Sequence, residues 1–255
     1  MVDSLTFEVS EPTLTIFLPK KPTTRTSVII IPGGGYGVLL TKREGSDVAR
    51  AFAAMGVTAF VLKYRIPSDR TMIDRAIGPL QDAQQAIKIV RQHAKEWKLD
   101  PQKIGVMGFS AGGHLASSPG THFEKSLVPN EENTSLRPDF MLLVNPVISF
   151  SAEIGHTGSR DNLLGKSPSP ENIALFSNEL QVGPLTPISW LVHSSEDKVV
   201  PVANSIAFYT ALRKYGIPAE LHLYSKGEHG FLTAPAFVEW FGRCIYWMKQ
   251  EKLME

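Results

Sequence analysis

Short, uniformly apolar runs recur along the chain, with amphipathic stretches between them. Ser27–Ile31 reads SVIII, is rich in β-branched residues and stops at Pro32. An apolar run of this length without alternation is typical of a strand buried on both faces. Further runs of the same kind lie at 58–62, 104–108, Phe140–Val144, 189–193 and 220–224. We interpret all of them as strands inside one sheet.

The amphipathic stretches predict helices at 44–55, 73–97, 202–215 and 236–252. In the second, apolar residues at three- and four-residue steps form one face: Ala76, Leu80, Ala83, Ile87, Val90 and Ala94. Strands that alternate with helices imply a mostly parallel sheet covered on both faces. In such sheets, ligands bind beyond the carboxyl ends of the strands.

Two regions depart from this alternation. Residues 5–9 and 13–18 alternate polar and apolar positions and predict an antiparallel hairpin at the sheet edge, which brings the sheet to eight strands. Residues 149–186 are too long for a plain loop, so we expect a small cap with a helix at 171–178. The prediction is one α/β domain over residues 1–255, with a cap-like insertion at about 149–186.

Composition narrows the function classes. The 255 residues carry 26 Lys and Arg against 25 Asp and Glu, so the net charge of +1 creates no field to attract nucleic acid or a membrane surface. The single cysteine, Cys244, excludes an intrachain disulfide. No apolar run approaches the roughly 18 residues of a membrane helix. Residues 1–20 do not resemble a signal peptide, so we expect a cytoplasmic protein, or a secreted one if a signal has been removed.

A candidate nucleophile follows the strand at 104–108. Gly108-Phe109-Ser110-Ala111-Gly112 fits G-x-S-x-G, and a helix is expected to begin at Ala111. A serine on a tight strand-to-helix turn holds a strained backbone, and the flanking glycines let neighbouring chain pass close. The alternative is a glycine-rich turn without chemistry. The strand before the motif and the helix after it favour the nucleophile.

A candidate oxyanion site follows the strand Ser27–Ile31. Three glycines in Pro32-Gly33-Gly34-Gly35-Tyr36 allow backbone N–H groups to turn toward a substrate oxygen. We expect the N–H of Gly34 or Gly35, together with that of Ala111, to hold a developing alkoxide. A phosphate-binding loop is the alternative, but no Lys-Ser/Thr follows the glycines and G-x-G-x-x-G spacing is absent.

Among seven histidines, His229 lies in a loop after the last predicted strand and before the last helix. A general base occupies that place in folds with the chain order Ser, Asp, His. We interpret His114, one turn beyond Ser110, as a buried structural residue and His193 as a residue that packs or hydrogen-bonds locally. Asp197 follows the preceding strand, in an Asp-x-x-Val-Pro turn that ends at Pro201, and is expected to orient the base. Glu196 competes for this role and is interpreted as a solvated neighbour.

With these residues in place, the sequence resembles the α/β-hydrolase superfamily. More closely, it resembles small esterases related to carbohydrate acetylesterases, which are acetyl-xylan-esterase-like and often labelled as xylanases. The matching stretches are PGGGY at 32–36, EG at 44–45, LKYR at 62–65, DAQQAI at 82–87, IGVMGFSAGGHLA at 104–116, NPVISF at 145–150, SRDNLLG at 159–165, EDKVVP at 196–201 and KGEHGF at 226–231. The resemblance implies an α/β-hydrolase fold and a serine esterase without metal or cofactor, acting on acyl esters of sugars. It also supports Ser110, Asp197 and His229 as a catalytic triad.

Two positions depart from the family's pattern. Arg43 stands where a histidine commonly precedes the glutamate–glycine pair. Pro119 lies in the expected nucleophile helix, where its missing N–H predicts a kink or an early end. In or near the cap, Tyr36, Arg160 and Leu163 are candidates for the walls of a substrate pocket, with simple bracing of the cap as the equal alternative.

The expected function is a serine carboxylesterase that deacetylates xylan-derived oligosaccharides, acting on a small-molecule or oligosaccharide ester. Three alternatives remain. A general short-chain or feruloyl carboxylesterase would use the same residues. A peptidase-like hydrolase shares the Asp-x-x-Val-Pro stretch but needs a further domain. An inactive binding module would be expected to have lost a triad residue, and none is lost here.

Overall fold

Seven strands form the central sheet of the structure, a computed structural model that describes residues 3–255. A separate two-stranded ribbon joins β1 to β4. The strands are β1 Leu5–Thr6, β2 Thr13–Phe17, β3 Ser27–Ile31, β4 Leu39–Leu40, β5 Thr58–Lys63, β6 Ile104–Phe109, β7 Phe140–Val144, β8 Ile188–Ser194 and β9 Ala219–Tyr224. The order in the sheet is β2-β5-β3-β6-β7-β8-β9, and all pairs are parallel except β2 with β5.

Helices cover both faces of this sheet. They are α1 Asp47–Ala54, α2 Gly78–Gln92, α3 Ala111–Thr121, α4 Thr157–Leu164, α5 Pro170–Leu175, α6 Ala203–Lys214 and α7 Phe237–Gln250. A π-helical turn, Lys42–Ser46, precedes α1, and a 3-10 turn, Asn178–Leu180, follows α5. In residues 3–255, no helix combines the length and the apolar character needed to cross a membrane.

The core has two layers because successive residues of a strand point to opposite faces. In β3, Ile29 and Ile31 pack toward α2, α3 and α6, whereas Val28 and Ile30 pack toward α1 and α7. All five residues of β3 are buried, as the uninterrupted apolar run predicts. Burial of each such side chain stabilises the fold by roughly 1.5–3 kcal/mol.

The chain reverses its direction across the sheet between β3 and β6. From β3 it moves outward to β5, then returns to β6 on the other side of β3. Ligand sites in open α/β sheets lie at such switch points, outside the carboxyl ends of the strands. Here the glycine loop after β3 and Ser110 after β6 meet at this point.

The α/β prediction and the six uniform strands are confirmed, but the expected hairpin and the eighth strand are wrong. Leu5 pairs with Leu40 and Thr6 with Leu39, whereas β2 pairs with β5 at the sheet edge. A short alternating segment indicates a strand but does not identify its partner, since pairing depends on which edge is unfilled in the folded protein. The sheet therefore has seven strands.

Several helix boundaries also differ from those predicted. The helix expected at 73–97 begins only at Gly78, and the one expected at 44–55 is divided into the π-helical turn and α1. Residues 149–186 contain α4, α5 and the 3-10 turn, so the helix expected at 171–178 is shorter and α4 was not foreseen. Helix α3 continues past Pro119 to Thr121, two residues beyond it.

Candidate active site

Ser110 lies on a strained turn between β6 and α3. Its φ and ψ are 52° and −122°, a region that costs a non-glycine residue about 1–3 kcal/mol. The surrounding backbone holds it there: the Ser110 N–H donates to the Val144 carbonyl at 3.1 Å, and the Ser110 carbonyl accepts from the Val147 N–H at 2.9 Å. Strain maintained by neighbouring hydrogen bonds is typical of a nucleophile's turn.

The two glycines of G-x-S-x-G are required by close packing. A Cβ at Gly112 would lie 2.2 Å from the Ile31 carbonyl oxygen at the end of β3. A Cβ at Gly108 would lie 2.1 Å from the carbonyl oxygen of Gly112. The helix can therefore approach the strand ends only because these side chains are absent.

Ser110, His229 and Asp197 form one continuous hydrogen-bonded chain. The imidazole Nε2 of His229 lies 2.8 Å from Ser110 Oγ, and its Nδ1 lies 2.6 Å from Asp197 Oδ2. The Asp197 side chain is fully buried, whereas that of His229 is 19% exposed at the site's opening. The structure thus brings together the three residues singled out in the sequence, from the ends of β6, β8 and β9.

Asp197 is held as a carboxylate by an unusually complete set of donors. Its Oδ1 accepts from the N–H groups of Val199 and Val200, both at 2.9 Å. Burial alone acts to raise the pKa of Asp197, but hydrogen bonds from His193, His229 and the Val200 N–H outweigh it and hold the pKa well below its usual value. Glu196 instead pairs with Lys226 on the surface at 2.6 Å, as its interpretation as a solvated neighbour requires.

His193 hydrogen-bonds locally, as expected, but the sequence did not reveal that one of its partners is the catalytic acid. Its Nε2 lies 3.2 Å from Asp197 Oδ2 and 3.1 Å from the Val200 carbonyl oxygen. Because both neighbours are acceptors, Nε2 carries the proton, and Nδ1 accepts from the Ser205 hydroxyl at 2.8 Å. The spacing of four residues from Asp197, across the end of β8, was the only signal available in the sequence.

The glycine loop presents unpaired N–H groups beside Ser110. Gly34 and Gly35 have φ values of 125° and 64°, which glycine adopts without a steric penalty. The Gly33 N–H is already bonded to the Glu44 carboxylate at 3.0 Å. By contrast, the N–H groups of Gly34, Gly35 and Ala111 have no acceptor among residues 3–255. These three are the groups expected to form the oxyanion site.

Arg43 and Glu44 tie this loop to the loop that carries His229. Arg43 donates to Glu44 at 3.0 Å and to the Gly230 carbonyl at 2.6 Å. Burial raises the pKa of Glu44, while Arg43 and the Gly33 N–H act in the opposite direction. Asp3 holds the other side of the guanidinium at 3.2 Å. The arginine that departs from the family's pattern is thus a bridge between the two loops.

The proposed pocket-wall residues are mostly buried. Tyr36 is 1% exposed and its hydroxyl lies 2.8 Å from His114 Nδ1, so His114 is the buried structural residue expected. Leu163 is 2% exposed. Arg160 is half-buried and bonded to Asp161 at 2.9 Å. These positions favour bracing over a pocket wall for Tyr36 and Leu163.

The BD-FAE family model matches residues 14–212, more than half of the chain. The chain belongs to the BD-FAE family. An acetylxylan esterase of Xylanibacter ruminicola is 37% identical to this BD-FAE chain over 230 residues, which cover 88% of the chain and 44% of that relative. The chain therefore spans less than half the length of this curated relative.

Solved structures share the fold of this BD-FAE chain along nearly all of its length. An acetyl ester-xyloside bifunctional hydrolase from Caldicellulosiruptor lactoaceticus superposes with a TM-score of 0.85 at 39% identity, covering 96% of this chain and 89% of that one. MGS-M1, an alpha/beta hydrolase from a Medee basin deep-sea metagenome library, superposes with a TM-score of 0.71 at 26% identity, covering 100% and 98%. The expected α/β-hydrolase fold is confirmed.

Proposed function

We propose that this chain is a serine carboxylesterase that removes acetyl groups from acetylated carbohydrates such as xylan-derived oligosaccharides. The observation that carries the proposal is the hydrogen-bonded chain from Asp197 through His229 to Ser110, beside backbone N–H groups with no protein acceptor. The choice of acyl group and alcohol is supported by similarity to an acetylxylan esterase and to an acetyl ester-xyloside hydrolase.

In the first half-reaction, Ser110 Oγ attacks the ester carbonyl while His229 Nε2 takes its proton. The carbonyl oxygen becomes an oxyanion that accepts hydrogen bonds from Ala111 and from Gly34 or Gly35. Each such donor lowers the barrier by roughly 3 kcal/mol. The imidazolium is stabilised by Asp197, 2.6 Å from Nδ1. His229 then gives the proton to the departing alcohol oxygen, which leaves an acyl-serine.

In the second half-reaction, water takes the place of the alcohol beside His229. The histidine accepts a proton from this water, the resulting hydroxide attacks the acyl carbonyl, and Ser110 leaves with the proton returned by Nε2. The products are acetate and free enzyme. These steps use only side chains and backbone of this chain. A groove of about 610 Å³ borders His229, with the remaining walls formed by Glu196, Lys198, Val199, Glu228 and Leu232.

The test is Ser110→Ala with a short activated ester. We expect kcat to fall by about 10⁴-fold or more, because the nucleophile is lost. A fluorophosphonate probe is expected to label the wild type and not Ser110→Ala. Ser195→Ala, which alters an exposed serine two residues before Asp197, is the matched control. Retained turnover or labelling in Ser110→Ala would sink the assignment, and an unlabelled wild type would favour a binding module.

Substrate choice is tested separately with a panel of esters. We expect acetate release from acetylated xylo-oligosaccharides, with kcat/KM for acetyl esters above that for butyryl and feruloyl esters. A preference for butyryl or feruloyl esters would replace the carbohydrate acetylesterase with a general or feruloyl carboxylesterase, while leaving the triad intact.

A further inference from the structure

Helix α4 is anchored at both ends to segments that belong to the candidate active site. Before its start, the Ile154 carbonyl accepts from Asn204 Nδ2 at 2.7 Å, and the same amide donates to the Pro201 carbonyl at 3.0 Å. Near its end, Asn162 Nδ2 donates to the Gly35 carbonyl at 2.8 Å. The intervening residues therefore run from the turn that carries the catalytic acid to the oxyanion loop.

His156 stands at the first of these ends, as the N-cap of α4. Its Nδ1 accepts from the Ser159 N–H at 3.2 Å and lies 2.8 Å from the Ser159 hydroxyl. An Nδ1 that accepts a backbone N–H carries no proton, so the neutral ring bears its proton on Nε2. Among residues 3–255, Nε2 has no hydrogen-bond partner. The half-buried ring thus offers one unused donor.

Burial and two residues of the triad affect the pKa of His156. Burial lowers the pKa of His156, with a further lowering from His229 and an opposing effect of Asp197. The residue is therefore neutral near pH 7, and its Nε2–H is a donor that adds no positive charge beside the catalytic imidazole.

The reaction chemistry indicates which part of the substrate lies beside the His156 end of α4. The carbonyl oxygen faces the glycine loop, at the Asn162 end of α4. The alcohol oxygen must face His229 Nε2, which returns its proton to it. The alcohol therefore lies on the His229 side of Ser110. The His156 end of α4 is anchored beside the turn of Asp197, which bonds His229 at 2.6 Å, so it is the end of the helix nearer to the alcohol.

We propose that His156 Nε2–H donates a hydrogen bond to a hydroxyl of the sugar that carries the scissile acetyl group, and so selects sugar esters over esters of simple alcohols. This rests on the proposed function. A neighbouring sugar hydroxyl is an acceptor that p-nitrophenyl acetate lacks, so the contact affects the first substrate and not the second. His156 is accordingly a specificity residue on the alcohol side.

Two substitutions separate this contact from the capping role. In His156→Asn, the amide oxygen occupies the place of Nδ1 and can still cap α4, but nothing replaces Nε2. In His156→Gln, the amide nitrogen reaches the place of Nε2, but the cap acceptor is lost. His93→Asn, an exposed histidine at the end of α2, is the matched control.

The measurement is kcat/KM for an acetylated xylo-oligosaccharide divided by kcat/KM for p-nitrophenyl acetate. We expect this ratio to fall about tenfold in His156→Asn and to remain near the wild-type value in His156→Gln, as the loss of one neutral hydrogen bond predicts. The thermal midpoint is expected to fall in His156→Gln and to change less in His156→Asn. An unchanged ratio in His156→Asn overturns the inference alone. A wild type that releases no acetate from the oligosaccharide overturns the proposed function, and this inference with it.

Discussion

Acid is expected to weaken this fold through one buried histidine. His114 is fully buried, accepts at Nδ1 from the Tyr36 hydroxyl at 2.8 Å and donates from Nε2 to the Phe176 carbonyl at 2.7 Å. Its ring stacks on Phe150, with the centroids 4.3 Å apart. Burial lowers the pKa of His114 from 6.5 to about 4, although the Phe176 hydrogen bond acts to raise it. A proton on Nδ1 would also displace the Tyr36 hydrogen bond.

The sign and size of the effect follow from this difference. In the unfolded chain His114 binds a proton near pH 6.5, whereas in the folded protein it binds one only near pH 4. Between these values the unfolded state holds more protons, so the free energy of unfolding falls as the pH falls. At about 1.4 kcal/mol per pH unit, the loss reaches roughly 3 kcal/mol, a large share of the 5–15 kcal/mol typical of a folded domain.

The assay is urea unfolding, followed by tryptophan fluorescence, across this pH range. His114→Gln is neutral at every pH and is expected to lower the slope of unfolding free energy against pH by about 1.4 kcal/mol per unit. At neutral pH it is expected to cost about 1–3 kcal/mol, because Tyr36 loses its acceptor. His93→Gln, on the surface, is the matched control. Parallel curves for the wild type and His114→Gln would refute the reasoning.

Three further predictions concern the site and its supports. His193→Phe removes a donor to Asp197 and is expected to lower kcat on an activated ester about tenfold, with little change in KM. His193→Gln keeps a donor at Nε2 and is expected to keep much of the rate. Equal losses of kcat in both variants would contradict the positioning role. Arg43→Met leaves the buried Glu44 carboxylate with only the Gly33 N–H as a donor, so we expect the free energy of unfolding in urea to fall by about 1–3 kcal/mol. The double variant, Arg43→Met with Glu44→Gln, is expected to restore part of this loss. Strictly additive effects of the two substitutions would argue against the ion pair. Gly112→Ala forces a Cβ to 2.2 Å from the Ile31 carbonyl and is expected to prevent folding or to lower the free energy of unfolding by about 3 kcal/mol or more. In Gly183→Ala the added Cβ meets nothing within 4 Å, so this variant is expected to be tolerated. Thermal unfolding of both variants is the measurement.

Much of the fold could be predicted because its signals are local. The run Ser27–Ile31 is buried on both faces of the sheet, and such burial leaves an uninterrupted apolar pattern in the sequence. The alternation of these runs with amphipathic helices implies a parallel sheet. The hairpin prediction at residues 5–9 is wrong because the partner of a strand is not a local signal. The pattern identifies a strand, whereas its partner depends on which edge the fold leaves open.

The triad was within reach of the sequence because each member follows its own strand. Strand order places Ser110, Asp197 and His229 at one edge of the sheet, and the glycines around Ser110 reveal the close packing of its turn. The supports gave no comparable signal. His193 lies only four residues before Asp197, but no pattern shows that the two side chains meet. Arg43 acts through a contact across the fold, to a carbonyl 187 residues away.

The amino-acid pattern therefore predicts the six uniformly apolar strands, the nucleophile's turn and the order of the catalytic side chains. Which N–H groups of the glycine loop remain unpaired depends on the folded protein, since the Glu44 carboxylate accepts from the N–H of Gly33. The folded protein also turns Tyr36 inward to His114 and anchors the His156 end of α4 beside the turn of Asp197. The physical reason is that hydrophobic periodicity records burial along one element, whereas hydrogen bonding and charge depend on which elements meet.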